Sequence, residues 1–227
     1  MKYVIILGDG MADEPIKELG NKTPLQYAKK PTIDYLAKHG EVGKVYTIPE
    51  GMSPGSDTAN LSVMGYDPKI YYTGRSPLEA VSMGVELSDR DITFRCNLVT
   101  LSEEDKYEEK IILDHSADEI STEEAKILIE DVNKHFRTKE IEFFSGISYR
   151  HLMVWHGGSD ECNLTPPHDI LGKSMADYLP KGEQSDIIFK MMKESYEFLS
   201  THFINKERIK KGLKPANSIW IWGEGRK

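Results

Sequence analysis

The stretch KYVIILGDGM, residues 2–11, is a continuous apolar run rich in β-branched side chains that stops at Gly8-Asp9-Gly10. Such a run fits a strand buried on both faces of a parallel sheet. Asp9 then stands at the carboxyl end of that strand, where the loops leaving an α/β sheet gather and ligands bind.

Working outward, Thr23-Pro24 reads as an N-cap and first helical turn, and Thr32 after Pro31 repeats the device for IDYLAKHG, which ends on Gly40. GEVGKVYTI (40–48) reads as a second strand. A Gly/Ser/Pro loop over 51–57 leads into the apolar spacing of ANLSVMGYDP, so Ser56 falls where loop meets helix.

From residue 91 the texture changes. DITFRCNLVTL and KIILDHS read as strands around the polar tip EDKYEEK, a hairpin pattern. STEEAKILIEDVNKHF opens with a capping-box-like start at Ser121 and places Ala125, Ile127, Leu128, Ile129 and Val132 roughly on one helical face. IEFFSGI and RHLMVWHG form another strand pair, NLTPPHDILGK a loop, and SDIIFKMMKESYEFLSTHF a long amphipathic helix. The closing NSIWIWGEGRK repeats the opening pattern, an apolar run ending on Gly223-Glu224-Gly225, and reads as a strand returning to the first sheet. The expected fold is α/β, a partial parallel-sheet core formed by 1–75 and 216–227 with a smaller α+β domain, 76–215, inserted into it. Two connections at about 75 and 215 fit a hinge.

The 227 residues carry 29 basic and 37 acidic side chains, a formal net charge of −8. That balance gives no electrostatic reason to bind nucleic acid or an anionic membrane and favours a small-molecule partner. Cys96 and Cys162 match no paired metal-ligand spacing and read as free thiols. No run is long enough to span a bilayer, and the start lacks a signal-peptide core, so a cytoplasmic location is expected. The methionines of FKMMKES and the tryptophans of WIW read as packing residues.

Ser56 has two readings: the cap of the following helix, or a nucleophile displayed on a turn. A serine hydroxyl needs a base or a metal to act at neutral pH, and Asp9 could supply part of a ligand set for Mg²⁺ or Mn²⁺, or for Zn²⁺ if histidine joins it. A helix N-terminus at Ser56 would favour a phosphoryl group. His168 and Asp169, behind two prolines in TPPHDILGK, are either presented to a ligand or form a turn with a capping aspartate.

ILGDGMADEPIKELGNKTPLQYAKKPTIDYLAKHGEVG, PGSDTANLSVMGYDP, TGRSPLEAVSMGVEL, FRCNLVTL and KPANSIWIWGEG, in this order, resemble the archaeal-type 2,3-bisphosphoglycerate-independent phosphoglycerate mutases of the alkaline phosphatase superfamily. The resemblance implies an alkaline-phosphatase-like core with an inserted substrate-capping domain, and two divalent metal ions in the complete enzyme, with no 2,3-bisphosphoglycerate required. It implies Asp9 as a metal ligand and Ser56 as both ligand and phosphate acceptor, passing phosphate between the two hydroxyls of a small phosphorylated metabolite. It assigns substrate contacts to Arg95 and Asn97 in FRCN, Arg150 and His151 in SYRHL, and Asn205 and Arg208 in INKER; His168 and Asp169 join them as candidates on the reading of their proline-stiffened loop alone. Arginines bind carboxylate and phosphate oxygens bidentately.

Two departures accompany the resemblance. Archaeal-type mutases continue beyond WGEG with a half that carries the other metal ligands, so this sequence reads as an N-terminal portion with little turnover alone. At LDHSADEI, His115 and Ser116 stand where those mutases tend to have arginines, which weakens attraction for phosphoglycerate. A bacterial branch of similar sequence has been proposed as homoserine kinase, the alternative function. A non-catalytic fragment or binding module is the third reading.

Overall fold

The computed structural model describes all residues except Met1, Asp9 and Ser53. The chain divides into two compact units, Met1–Tyr46 and Thr47–Lys227.

In the first unit, a short 3-10 turn, Lys17–Leu19, precedes α1 (Pro24–Tyr27) and α2 (Pro31–His39). Thr23 closes a capping box: its Oγ1 accepts from the Gln26 N–H at 3.1 Å while the Gln26 side chain accepts from the Thr23 N–H at 2.9 Å. Gly40 ends α2, but Thr32 lies inside that helix, and Lys30 is the preceding residue. The two expected strands are corrected. Residues 2–8 and 41–48 carry no strand, and Val4, Ile6, Val42 and Val45 are exposed. An apolar run becomes a strand only when a neighbouring strand satisfies its backbone groups, and the sheets formed by the described residues do not include these two runs.

The second unit opens with α3 (Ser56–Val63), α4 (Pro68–Tyr71) and α5 (Ser76–Ser82). There follow β1 (Asp91–Leu101), β2 (Ile112–Asp114), α6 (Thr122–Phe136), β3 (Ile141–Phe144), β4 (Arg150–His156), β5 (Cys162–Asn163), β6 (Lys181–Gly182), α7 (Ser185–Leu199), α8 (Phe203–Lys210) and β7 (Ser218–Arg226). Five strands form an antiparallel sheet in the order β2-β1-β4-β3, with β7 also paired to β1; β5 and β6 make a separate two-stranded ribbon. The closing run is thereby corrected: β7 joins β1 in the register Arg95↔Trp222, Cys96↔Ile221, Asn97↔Trp220, within this antiparallel sheet. β1 is flanked by β4 and β7, so all eleven of its residues are buried.

Strand alternation sorts the two faces of this sheet. Phe94, Cys96 and Leu98 of β1, Met153 of β4 and Ile221 of β7 enter the main apolar core with residues of α6 and α7. Ser121 caps α6 through the Glu124 N–H, and Ala125, Leu128, Ile129, Val132 and Phe136 face inward, whereas Ile127 is 38% exposed and off that face. From α7, Ile188, Met191, Met192 and Leu199 are buried. Thr93, Arg95 and Leu152 face the other way, where α5 packs Ser76, Glu79 and Ala80 against them. Both cysteines are free, Cys96 buried and Cys162 half-buried. No helix among the described residues is long and apolar enough to cross a membrane.

Candidate phosphate-binding site

The α5 side of the sheet carries the polar groups. Asn97 of β1 stands directly opposite Arg150 of β4, and Arg95 opposite Leu152 on one side and Trp222 on the other. Residues two apart on a strand share a face, so Arg95, Asn97 and Arg150 project together. The Arg95 guanidinium lies 4.3 Å from the Trp222 ring centroid, and its Nε donates to the Glu79 carboxylate at 3.1 Å. Glu79 also pairs with Arg75 at 3.3 Å, so two guanidinium groups share one carboxylate and positive charge is left over. Burial pulls the Arg95 pKa down, and the Glu79 charge opposes that pull. The Nη groups of Arg95 have no protein partner among the described residues.

Asn97 is held in place from both ends. Its Oδ1 accepts from the Trp222 indole N–H at 3.0 Å and its Nδ2 donates to the His115 carbonyl at 3.2 Å. The 3-10 turn Pro167–Ile170 brings His168 onto this face, its ring 5.3 Å from Trp222 and 6.1 Å from His115. Pro166 and Pro167 fix the approach, and Asp169 stays exposed with an oxygen 3.6 Å from the His168 Nε2. Burial lowers the pKa of His168; Asp169 opposes this, while His115, Arg95 and Arg75 add to it. These terms favour the neutral imidazole, and the charge of a bound anion would favour the protonated form.

A cleft of about 620 Å³ joins this face to the start of α3, lined by Gly55, Asp57, Arg75, His168, Trp222 and Glu224 among others. Ser56 is the first residue of α3, exposed, with Gly55 in the capping position. The capping position thus falls one residue before Ser56, with no side-chain cap hydrogen bond. A Cβ on Gly55 would lie 2.4 Å from Asp57 Oδ1, so a larger residue there would push that carboxylate aside. The Asp57 carboxylate is fixed by Tyr72, whose hydroxyl donates at 2.7 Å, and by the Thr58 N–H at 2.9 Å. Opposite, residues 73–77 cross β7 closely: Thr73 and Arg226 exchange two hydrogen bonds, and a Cβ on Gly74, where φ is +122°, would lie 2.4 Å from the Glu224 carbonyl oxygen. Burial, reinforced by Asp160, raises the Glu224 carboxyl pKa.

The remaining expected contacts lie elsewhere. His151 alternates to the apolar face opposite Cys96; its Nδ1 accepts from the Gly146 N–H and burial pushes its pKa down to about 3. Asn205 is fully buried, its amide spent on the Leu199 and Ala216 carbonyls and the Ala216 N–H. Arg208 is buried and donates to Glu124, Ala117 and Lys214. Asp9 lies outside the described residues. Among those described, no three His, Cys, Asp or Glu side chains gather as a metal site, so the donor set for a two-metal centre does not assemble from them. Sequence reasoning missed Arg75, Trp222 and Glu224, and treated His115 only as a lost arginine. The aromatic WIW run ending on Gly-acid-Gly was the one available signal.

The sequence profile described as 2,3-bisphosphoglycerate-independent phosphoglycerate mutase matches residues 37–205. The chain is 51% identical over 228 residues to a 2,3-bisphosphoglycerate-independent phosphoglycerate mutase of Methanosarcina barkeri, covering 99% of this chain and 55% of the relative. It is 50% identical to a probable mutase of the same name from Geobacter sulfurreducens, covering 100% of this chain and 56% of that one. It thus spans about half the length of the curated relatives it matches. Among solved structures, a cofactor-independent phosphoglycerate mutase from Thermoplasma acidophilum superposes with a TM-score of 0.57 at 30% identity, over 96% of this chain and 57% of that one. The PH0037 protein of Pyrococcus horikoshii gives 0.67 at 32% identity, over 96% and 49%. With a profile match across most of its length and such relatives, the chain belongs to the 2,3-bisphosphoglycerate-independent phosphoglycerate mutase family.

Proposed function

We propose that the protein carrying this sequence interconverts 2- and 3-phosphoglycerate through a phosphoserine at Ser56, in the cytoplasm and without 2,3-bisphosphoglycerate. The observation that carries this reading is the convergence of Ser56's loop, Arg75, His168 and Trp222 on one cleft, with Arg95 stacked on Trp222 and Asn97 and Arg150 on the adjoining sheet face. The substrate's carboxylate and phosphate oxygens meet guanidinium groups able to bind them bidentately. Ser56 Oγ forms the new P–O bond as the substrate oxygen leaves and takes a proton; the other substrate hydroxyl then attacks phosphorus and frees Ser56. The amide end of α3 favours the phosphoryl group during both displacements.

The family resemblance brings with it two divalent ions, Mn²⁺ or Mg²⁺ or else Zn²⁺, and Asp9 as one of their ligands. Among the described residues that ligand set does not assemble.

The test uses the longest protein that contains this sequence. Incubated with 3-phosphoglycerate and Mn²⁺, it should form 2-phosphoglycerate and yield a phosphoserine at residue 56 in peptide mass spectra. Ser56→Ala should abolish both; a variant that keeps turning over contradicts the nucleophile assignment. Phosphate transfer from ATP to homoserine, with no mutase activity, would select the alternative that the arginine-poor block at His115 and Ser116 favours.

A further inference from the structure

Ala117, Asp118 and Glu119 form three consecutive non-glycine residues in the left-handed region, with φ of 48°, 55° and 51°. L-residues visit this region singly and at a cost, so a run of three persists only where its surroundings over-determine it. The surroundings here are explicit. The Asp114 carboxylate accepts from the Ser116 N–H and hydroxyl, both at 2.8 Å, from the Asp118 N–H at 3.3 Å, and from Lys214 Nζ at 2.8 Å. Asp118 accepts from the Lys214 N–H at 2.7 Å. Arg208, 2% exposed, inserts beneath: Nη2 donates to the Ala117 carbonyl, Nη1 to Glu124 of α6, and Nε to the Lys214 carbonyl. All three nitrogens of its guanidinium are therefore committed inside the fold.

What this clamp holds is His115. The residue sits between Asp114 and the strained turn, its carbonyl bound by Asn97 and its ring packed edge-on against Tyr149 at 5.5 Å and near His168 at 6.1 Å. We infer that Arg208, with Asp114 and Lys214, is a positioning residue that locks the left-handed turn and thereby places His115 beside His168 on the anion-binding face, without touching the substrate itself. The assignment rests on the proposed phosphate site only for its consequence; the clamp itself is testable without it.

The experiment compares this chain with Arg208→Lys, which keeps the charge but cannot reach three acceptors in a fork, and with Asp114→Asn. Should Arg208→Lys fail to fold, the exposed substitution Glu119→Gly, which releases strain in the turn, is combined with it as a rescue. Two readouts are taken: ring-to-ring nuclear Overhauser contacts from His115 to Tyr149 and His168, and affinity for inorganic phosphate. The expected result is loss of the His115 contacts together with about tenfold weaker phosphate binding, the size typical when an outer group that orients a ligand-binding side chain is removed. Restoration of the contacts by Glu119→Gly would support the same assignment. Weakened phosphate binding with the His115 contacts intact would make Arg208 a direct ligand and overturn the proposal, as would unchanged contacts and unchanged affinity. If the unmodified chain binds no phosphate, the site reading fails, while the contact readout still decides whether Arg208 positions His115.

Discussion

The two faces of the five-stranded sheet are built from the same strands, one residue out of step, and they do different work. Phe94, Cys96, Leu98, Met153 and Ile221 point into the core beneath α6 and α7, where shape and apolar area dominate. Arg95 and Asn97, interleaved with them on β1, are 5% and 1% exposed, as buried as their apolar neighbours. They stay polar because each has a designated partner, Glu79 and the Trp222 ring for Arg95, the His115 carbonyl and the Trp222 indole for Asn97. Burying a charge without partners is costly, so a buried guanidinium with spare donors, stacked on a tryptophan that lines the cleft, marks recognition rather than packing. Burial alone therefore separates nothing on β1; the period of two does.

If that contrast is right, the largest stability effect belongs to the apolar face. Phe94→Ala should destabilise the chain by about 3–5 kcal/mol through lost transfer energy and a cavity, read from urea unfolding, with anion affinity retained in the folded fraction. A loss below about 1 kcal/mol would mean that the two faces are not divided as described.

A pH experiment sharpens the same division. His151, on the apolar face, is neutral when folded because burial pushes its pKa down to about 3, well below the ordinary imidazole value of 6.5. The unfolded chain binds the extra proton, so its contribution is fully present above 6.5 and is lost as pH falls from 6.5 toward 3. Denaturant midpoints measured across that window should fall with pH, and His151→Gln should flatten the slope. An unchanged slope in the variant would place the titration elsewhere.

Much of this arrangement was legible in the sequence. The periodicities of β1, β4, α6 and α7 follow from alternation and amphipathic spacing, and Thr23, Ser121 and Gly40 act as the end signals they resemble. The runs 2–8 and 41–48 were misread because a strand is a property of a pair, and a single run does not name its neighbour. The same blindness affects side chains. Arg208 and Asn205 sit in a motif-like stretch, yet their partners Glu124, Ala117 and Ala216 lie far along the chain or across a turn, so nothing local reveals that their donors are already used. His115 was seen only as a missing arginine, since its value depends on His168, Tyr149 and Asn97 arriving beside it.

The central claim, that the polar face of the sheet is the anion site, is tested most directly by titrating the chain with sulfate, whose charge is constant over the range used, and following the Trp222 indole and His168 ring by NMR at pH 7 and pH 6. Burial lowers the His168 pKa, and the charge of a bound anion would favour its protonated form, so affinity should strengthen as pH falls. The account predicts saturable shifts at both groups, tighter at pH 6, and at least about tenfold weaker in Arg95→Gln, the size expected for loss of a charge-assisted hydrogen bond. Shifts that never saturate, or that persist unchanged in Arg95→Gln, would contradict it.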